Sequence, residues 1–233
     1  HPVLGDFVNK RFYDPHGEVL SSGRDAADFA HQVVLADGTP LAGLVAAWLE
    51  VPRTAGPEDR TRSKRRICEA KRVAREAREI LAANPDLSVG VITFYTAQRD
   101  VILEEMAALG LAEPDDEVGY RIRDQWMQTR DGQERLRVGT VDAFQGKEFD
   151  VVLLSLTRSN AIQVTDEATR RRRYGFLLLE NRLCVAMSRQ RCLLILVGDI
   201  DMARGEEAQQ SVPALAHFAK LCEEGVHGRV IRP

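Results

Sequence analysis

Cysteine, clustered histidine, long apolar runs and excess basic charge are all scarce in this chain. The four cysteines, Cys68, Cys184, Cys192 and Cys222, form no CxxC pair, and no histidine stands at zinc-finger spacing from them. That excludes a zinc module and leaves reduced thiols as the expectation. The five histidines are scattered and no His/Asp/Glu cluster shows metal-ligand spacing, so no metal site is expected. No apolar run approaches the roughly 20 residues needed to cross a membrane. The N-terminus lacks a basic stretch followed by an apolar one, so no signal peptide is expected and the reading is a cytoplasmic, intracellular protein. Net charge is −3, whereas a small nucleic-acid-coating module is usually basic. A Walker A phosphate loop is missing too. The only Gly-Lys, Gly146-Lys147, is followed by Glu148 rather than Ser or Thr, and no glycine precedes it at the required spacing. Asp115-Asp116-Glu117 and Asp166-Glu167 lie in polar segments rather than after a buried strand, so neither reads as a Walker B pair.

What is present is a globular profile of 233 residues, 44% hydrophobic and 29% charged. The chain starts at His1 rather than Met, as expected of a fragment, a processed product or a chain whose start lies outside this sequence. Short apolar runs at 44–51, 89–93, 136–141, 151–156 and 193–197 read as strands. Between them, 69–83 and 97–109 carry helical spacing, the first stopping at Asn84-Pro85 and the second at Gly110. Continuous apolar strands alternating with helices indicate an α/β domain with a mainly parallel sheet covered on both faces. The expected organisation is an N-terminal segment over 1–39, the α/β domain over 40–201, and a C-terminal helix and tail over 202–233. Residues 111–135 read as a polar insertion-like loop and 161–173 as a polar loop ending in Arg170–Arg173. In such sheets ligands bind at the carboxyl ends of strands, and the polar motifs are expected there.

Three stretches carry the chemistry. In 138–150, VGTVDAFQGKEFD, a strand gives way to a loop that packs Asp142, Gln145, Gly146 and Glu148 together. Gly146 permits a backbone conformation other residues resist, and the polar groups suit a ribose, a phosphate or a neighbouring loop. In 179–199, Arg182 and Arg189 are seven apart, which places both on one face of a helix. Rigid, always-charged guanidiniums suit a polyphosphate, and in phosphoryl transfer such an arginine stabilises developing charge. A solvated arginine, or one paired with Glu180, is the plain alternative. In 89–98, a strand delivers Thr93, Phe94 and Tyr95 to its end. There an aromatic stacks on a base and Thr93 meets a phosphate, or the aromatic merely caps the core.

Together these residues resemble the second RecA-like domain of superfamily 1 helicases, in the Upf1-like branch. Gly90–Gln98, GVITFYTAQ, resembles helicase motif IV, with Phe94 in place of the usual proline. Thr140–Glu148, TVDAFQGKE, resembles motif V at every marked position. Asn181–Arg189, NRLCVAMSR, resembles motif VI, with Cys184 in place of Asn and Ser188 in place of Thr. His1-Pro2 with Phe7 and Phe12-Tyr13 resembles the stretch after the family's YRMHP, and Ser63–Ala70, SKRRICEA, its SxxNxxEA segment. The resemblance covers roughly residues 1–200.

The resemblance implies a three-layer P-loop-NTPase fold without its own Walker A loop. It also implies the C-terminal motor domain of an ATP-dependent DNA or RNA helicase. Arg189 is then the arginine finger on the γ-phosphate, assisted by Arg66, with Arg65 open as an alternative register. Gln145, Gly146, Glu148, Arg182 and Tyr95 belong to the nucleotide side. Thr93, Thr140 and Ser155 hold the backbone of single-stranded DNA or RNA, contacts that fix position without reading sequence. ATP and magnesium are expected to be held mainly by an N-terminal RecA-like domain of the same protein, so this chain by itself is expected to be catalytically silent. Two other readings stay open: a non-catalytic RecA-like interaction module, and a nucleic-acid-binding protein relying on Arg170–Arg173, a run that also fits a solvated segment.

Overall fold

The apolar runs fold as strands of one sheet. The computed structural model describes residues 1–59 and 61–233. In chain order the elements are α1 (Pro2–Val8), β1 (Ala46–Glu50), α2 (Ile67–Ala83), β2 (Val89–Thr93), α3 (Thr96–Ala108), β3 (Ala112–Asp115), β4 (Gly119–Ile122), β5 (Leu136–Thr140), β6 (Phe149–Ser155), α4 (Glu167–Tyr174), α5 (Glu180–Met187), β7 (Gln190–Gly198), α6 (Gly205–Ser211), α7 (Pro213–Glu224) and β8 (Gly228–Ile231). The main sheet has six strands in the order β5-β2-β6-β7-β1-β8 and every pairing in it is parallel. Strand alternation sends Val89, Val91, Val151, Leu153 and Ile195 to the face covered by α2 and α3. Ile92, Val152, Leu154, Leu194 and Leu196 point to the face covered by α1, α5, α6 and α7. This is the expected three-layer α/β arrangement. No helix among the described residues is long and apolar enough to cross a membrane.

Four segments differ from the sequence reading. Residues 111–135 contain the antiparallel hairpin β3–β4. Its turn is set by Asp115, which accepts from the Glu117 and Val118 amides at 3.0 Å each. The Arg170–Arg173 run lies on α4 rather than in a loop. Asp166 and Thr169 form a reciprocal capping box that starts that helix, a local signal that the charge run obscures. The segment 202–233 is no tail, because β8 pairs with β1 and closes one edge of the sheet. The N-terminal segment also joins the core: Leu4, Phe7, Val8 and Phe12 are buried, and the Phe7 ring meets Phe218 of α7 at 5.7 Å.

The connection from β5 to β6 is short for a parallel crossover. Thr140 ends β5 level with Thr93, while Phe149 opens β6 at the opposite edge, so residues 141–148 must return along the whole strand length. Parallel strands commonly need a dozen or more residues for this. Here the chain lies directly on the sheet because the floor beneath it is glycine. A Cβ on Gly90 would stand 2.9 Å from the Phe149 ring and 3.0 Å from Phe144, and one on Gly139 would stand 3.0 Å from Ala143.

A buried polar cluster ties α2 to the carboxyl ends of β2 and β6. Arg66, fully enclosed, donates from Nε to the Gly56 carbonyl (3.0 Å), from Nη1 to Val51 (2.8 Å) and from Nη2 to Pro52 (2.6 Å), and its Nη1 also faces Glu69 at 3.4 Å. Glu69 accepts from the Ser155 hydroxyl (2.6 Å) and the Thr157 amide (2.7 Å). Gln98 completes the cluster, accepting from the Arg66 amide (2.7 Å) and donating to Ser155 (3.0 Å). Burial pushes the Glu69 carboxyl above the usual range, even against the Arg66 charge and these hydrogen bonds. Thr157 is held at φ 67°, a conformation that β-branched residues resist.

Two stability measurements check this account. Gly90→Ala is expected to lower the unfolding free energy by about 1–3 kcal/mol through overpacking, read as a lower urea midpoint. An unchanged midpoint would show that the rings move aside freely. Arg66→Ala is expected to cost about 3–5 kcal/mol, because it leaves a buried carboxylate without its cation. A cost below about 1 kcal/mol in the same titration would contradict a fully enclosed pair.

Candidate functional site

The polar motifs divide between the two edges of the sheet instead of gathering at the carboxyl ends. Glu148 and Arg189 stand at the amino edge, each immediately before a strand. The Phe149 amide donates to the Arg189 carbonyl at 2.9 Å, and Phe149 lies in register with Gln190. Gln145, Gly146, Lys147 and Glu148 are all exposed there. Gly146 sits at φ 74° with nothing within 4 Å of where a Cβ would be, so it is glycine for the turn and leaves an open approach.

Arg189 lies just beyond α5, which ends at Met187, so its expected helical pairing with Arg182 is corrected. Its guanidinium is held by neutral acceptors alone. Nη2 donates to the Ser188 hydroxyl at 2.7 Å, Nε to the Val185 carbonyl at 3.1 Å, and Nη1 reaches the Lys147 carbonyl at 3.5 Å. Among the described residues no carboxylate lies within ion-pair distance of it. A half-buried cation without a counter-charge, next to an open glycine turn, favours an incoming anion. Ser188, which replaces the expected threonine, supplies the acceptor that holds the guanidinium in place.

Arg182 stands at the other end of α5, about 10 Å away by helical rise. It pairs with Asp142 at 3.1 Å, just past Thr140 at the carboxyl edge, and its guanidinium carbon lies 5.0 Å from the Phe176 ring centroid. The structure therefore groups Arg182 with Thr140 and separates it from Glu148. Thr140 is half-buried at the end of β5.

Four further expectations are corrected by burial. Arg66 is consumed by the cluster under the carboxyl edge and has no path to a nucleotide. Arg65, the alternative, is exposed and bonds Asp59 at 3.2 Å. Thr93 and Ser155 are fully buried, Thr93 facing the Thr157 hydroxyl at 3.2 Å and Ser155 facing Glu69, so their side chains do not meet a nucleic-acid backbone. Tyr95 is 4% exposed, and its ring backs Phe176 at 5.0 Å, at the carboxyl rather than the amino edge. Sequence reasoning missed Phe176, which follows Gly175 in a stretch read as neither motif nor strand. The Gly175-Phe176 pair ahead of a leucine run was the available signal.

The described residues contain no group of three His, Cys, Asp or Glu able to hold a metal ion. The amino edge presents the Arg189 guanidinium and the open Gly146 turn to an incoming anion.

Comparison with known proteins bears on the family of the chain. The family model described as AAA domain matches residues 1–201. A Danio rerio protein named "Putative helicase mov-10-B.2" is 26% identical over 216 residues, 89% of this chain and 19% of its own length. The DNA polymerase alpha-associated DNA helicase A of Saccharomyces cerevisiae is 37% identical over 94 residues, 40% of this chain and 12% of its own. A Neurospora crassa regulator of nonsense transcripts 1 homolog is 33% identical over 111 residues, 48% of this chain and 8% of its own. The chain thus spans less than a fifth of each of these relatives. It belongs to the AAA domain family and is the C-terminal RecA-like domain of a superfamily 1 helicase of the Upf1-like branch.

Proposed function

We propose that this domain is the second half of an ATP-driven motor on single-stranded DNA or RNA. In this reading it completes a nucleotide site whose phosphate loop and magnesium ligands belong to an N-terminal RecA-like domain of the same protein. The observation that carries the proposal is the exposed amino edge, where Arg189 has no counter-charge among the described residues and stands next to the strand that opens after Glu148.

Arg189 acts as the arginine finger. Its guanidinium is already oriented by Ser188 and Val185, so little reorganisation is needed when negative charge develops on a transferred phosphoryl group. ATP bound across the cleft would supply the phosphoryl group, with water as its acceptor and ADP and phosphate released. Gly146 lets the backbone approach the nucleotide, and Gln145 and Glu148 offer polar groups to its ribose or phosphate side. Thr140 and Arg182 contribute to one bank of the nucleic-acid track at the opposite edge. Contacts of this kind hold a backbone without reading its sequence. Closure of the two domains brings Arg189 to the nucleotide, and the same motion shifts the carboxyl edge along the strand.

Two outcomes are expected. The purified chain hydrolyses no ATP above background in a phosphate-release assay. In the full-length protein, Arg189→Ala lowers strand-stimulated turnover about 10³-fold or more, with single-strand affinity in the absence of nucleotide unchanged. Turnover by the isolated chain that Arg189→Ala abolishes would contradict the division between the two domains.

A further inference from the structure

Beyond Thr140 and Arg182, the carboxyl edge opens into a cleft of about 560 Å³ whose walls include Arg62, Tyr95, Arg158, Arg171, Phe176 and Leu179. Phe176 and Leu179 are 40% and 41% exposed, two large apolar side chains in one recess. Scattered surface leucines need no explanation. An exposed phenyl ring and a leucine ringed by guanidiniums do, because the arginines make the recess unsuited to an apolar peptide.

The Phe176 ring is fixed in advance. Tyr95 backs it at 5.0 Å, and the Tyr95 hydroxyl accepts from the Phe176 amide at 3.4 Å. Gly175, at φ 56°, allows this approach, since a Cβ there would stand 2.5 Å from the Tyr95 hydroxyl oxygen. The Arg182 guanidinium lies at 5.0 Å from the ring centroid. A preorganised aromatic surface costs little ordering entropy when a ligand arrives.

The charges at the rim are available. Arg171 and Arg170 both pair with Glu167, at 3.0 and 3.2 Å, so two guanidiniums share the one carboxylate that also lines the cleft. Exposed pairs of this kind contribute little and yield readily to a stronger anion. Arg158 is engaged deeper, with Glu58 at 3.1 Å, and shapes the wall instead. Of the arginine run, then, Arg171 faces the cleft. Arg173 turns inward to the Ile162 carbonyl at 2.7 Å.

We propose that this cleft seats one unstacked base of a single strand against Phe176 and Arg182, with the flanking phosphates on Arg62 and Arg171. A held aromatic ring beside guanidiniums matches the chemistry of single-strand binding, where each base offers a π face and each link a phosphate. The proposal rests on the reading of the carboxyl edge as part of the nucleic-acid track and names the subsite within it. Tyr95, expected from the sequence on the nucleotide side, instead supports the ring that makes the contact.

The test uses the chain with fluorescein-labelled oligothymidylate and oligouridylate, read by anisotropy at several salt concentrations. A 5-iodouracil-substituted strand is also photo-cross-linked and the joined peptide mapped. Phe176→Ala is expected to weaken binding about 5- to 150-fold, and Phe176→Trp to retain it. Arg171→Gln should flatten the salt dependence, and the cross-link should fall within 174–179. Where Phe176→Ala loses its fold by circular dichroism, Phe176→Trp and the cross-link decide. Wild-type binding that Phe176→Ala leaves unchanged, or a cross-link found only elsewhere, overturns this subsite and leaves the motor reading standing. No salt-sensitive binding by the wild type overturns the subsite together with the assignment of the carboxyl edge to the nucleic-acid track.

Discussion

The crossover at 141–148 is the constraint on which the site depends. It leaves Thr140 at one edge of the sheet and reaches Glu148 at the other, packed against a floor that only glycine at 90 and 139 allows. A side chain at 90 would press on Phe149 and Phe144, and one at 139 on Ala143 and Phe144, so either would disturb the crossover that leads to the strand entry at Phe149. That entry is where the Phe149 amide binds the Arg189 carbonyl. The geometry of the amino edge is therefore inherited from two absent side chains, on β2 and on the edge strand β5. The same eight residues, 141–148, physically join the two halves of the proposed site.

The carboxyl edge is held by different physics. Arg66, Glu69, Gln98 and Ser155 form a closed buried network that fixes the ends of β2 and β6 against α2. Burial of this charge pair is costly, and its value lies in specifying one arrangement rather than in net stability. Above that fixed platform buried Tyr95 backs the exposed Phe176 ring, and half-buried Arg182 lies beside it. At the amino edge, Arg189 is cationic and bound only to neutral acceptors. The two ends differ in the ligand they suit: a plane bordered by guanidiniums on one, a lone anion-seeking guanidinium on the other.

Much of this was legible in the sequence. Apolar runs such as VVLLSL and LLILV have one reading in an α/β chain, a strand buried on both faces, and the spacing of α2 and α3 carries their period directly. Motif order also identified the family, since the residues that match it are contiguous. What escaped was whatever depends on packing direction. The spacing of Arg182 and Arg189 predicted a shared helical face, but the helix stops at Met187 and the last turn aims Arg189 at the opposite edge. Arg66, Thr93 and Ser155 carry side chains that suit ligands equally well as they suit a buried network, and one sequence does not show burial. The Arg170–Arg173 run masked a capped helix, and the β8 strand is too short and mixed to announce itself. Phe176 has no periodic partner, so only the fold reveals that it shares a recess with Arg62 and Tyr95, which lie far upstream in the chain.

The central claim is that nucleotide and single strand meet opposite edges of one sheet. Amide hydrogen exchange on the full-length protein tests it most directly, comparing a non-hydrolysable ATP analogue with an oligonucleotide. The account predicts that the analogue protects residues 144–149 and 185–190, and that the oligonucleotide protects 140–142 and 174–182. Protection of 174–182 by the nucleotide alone, with 144–149 and 185–190 unaffected, would contradict it.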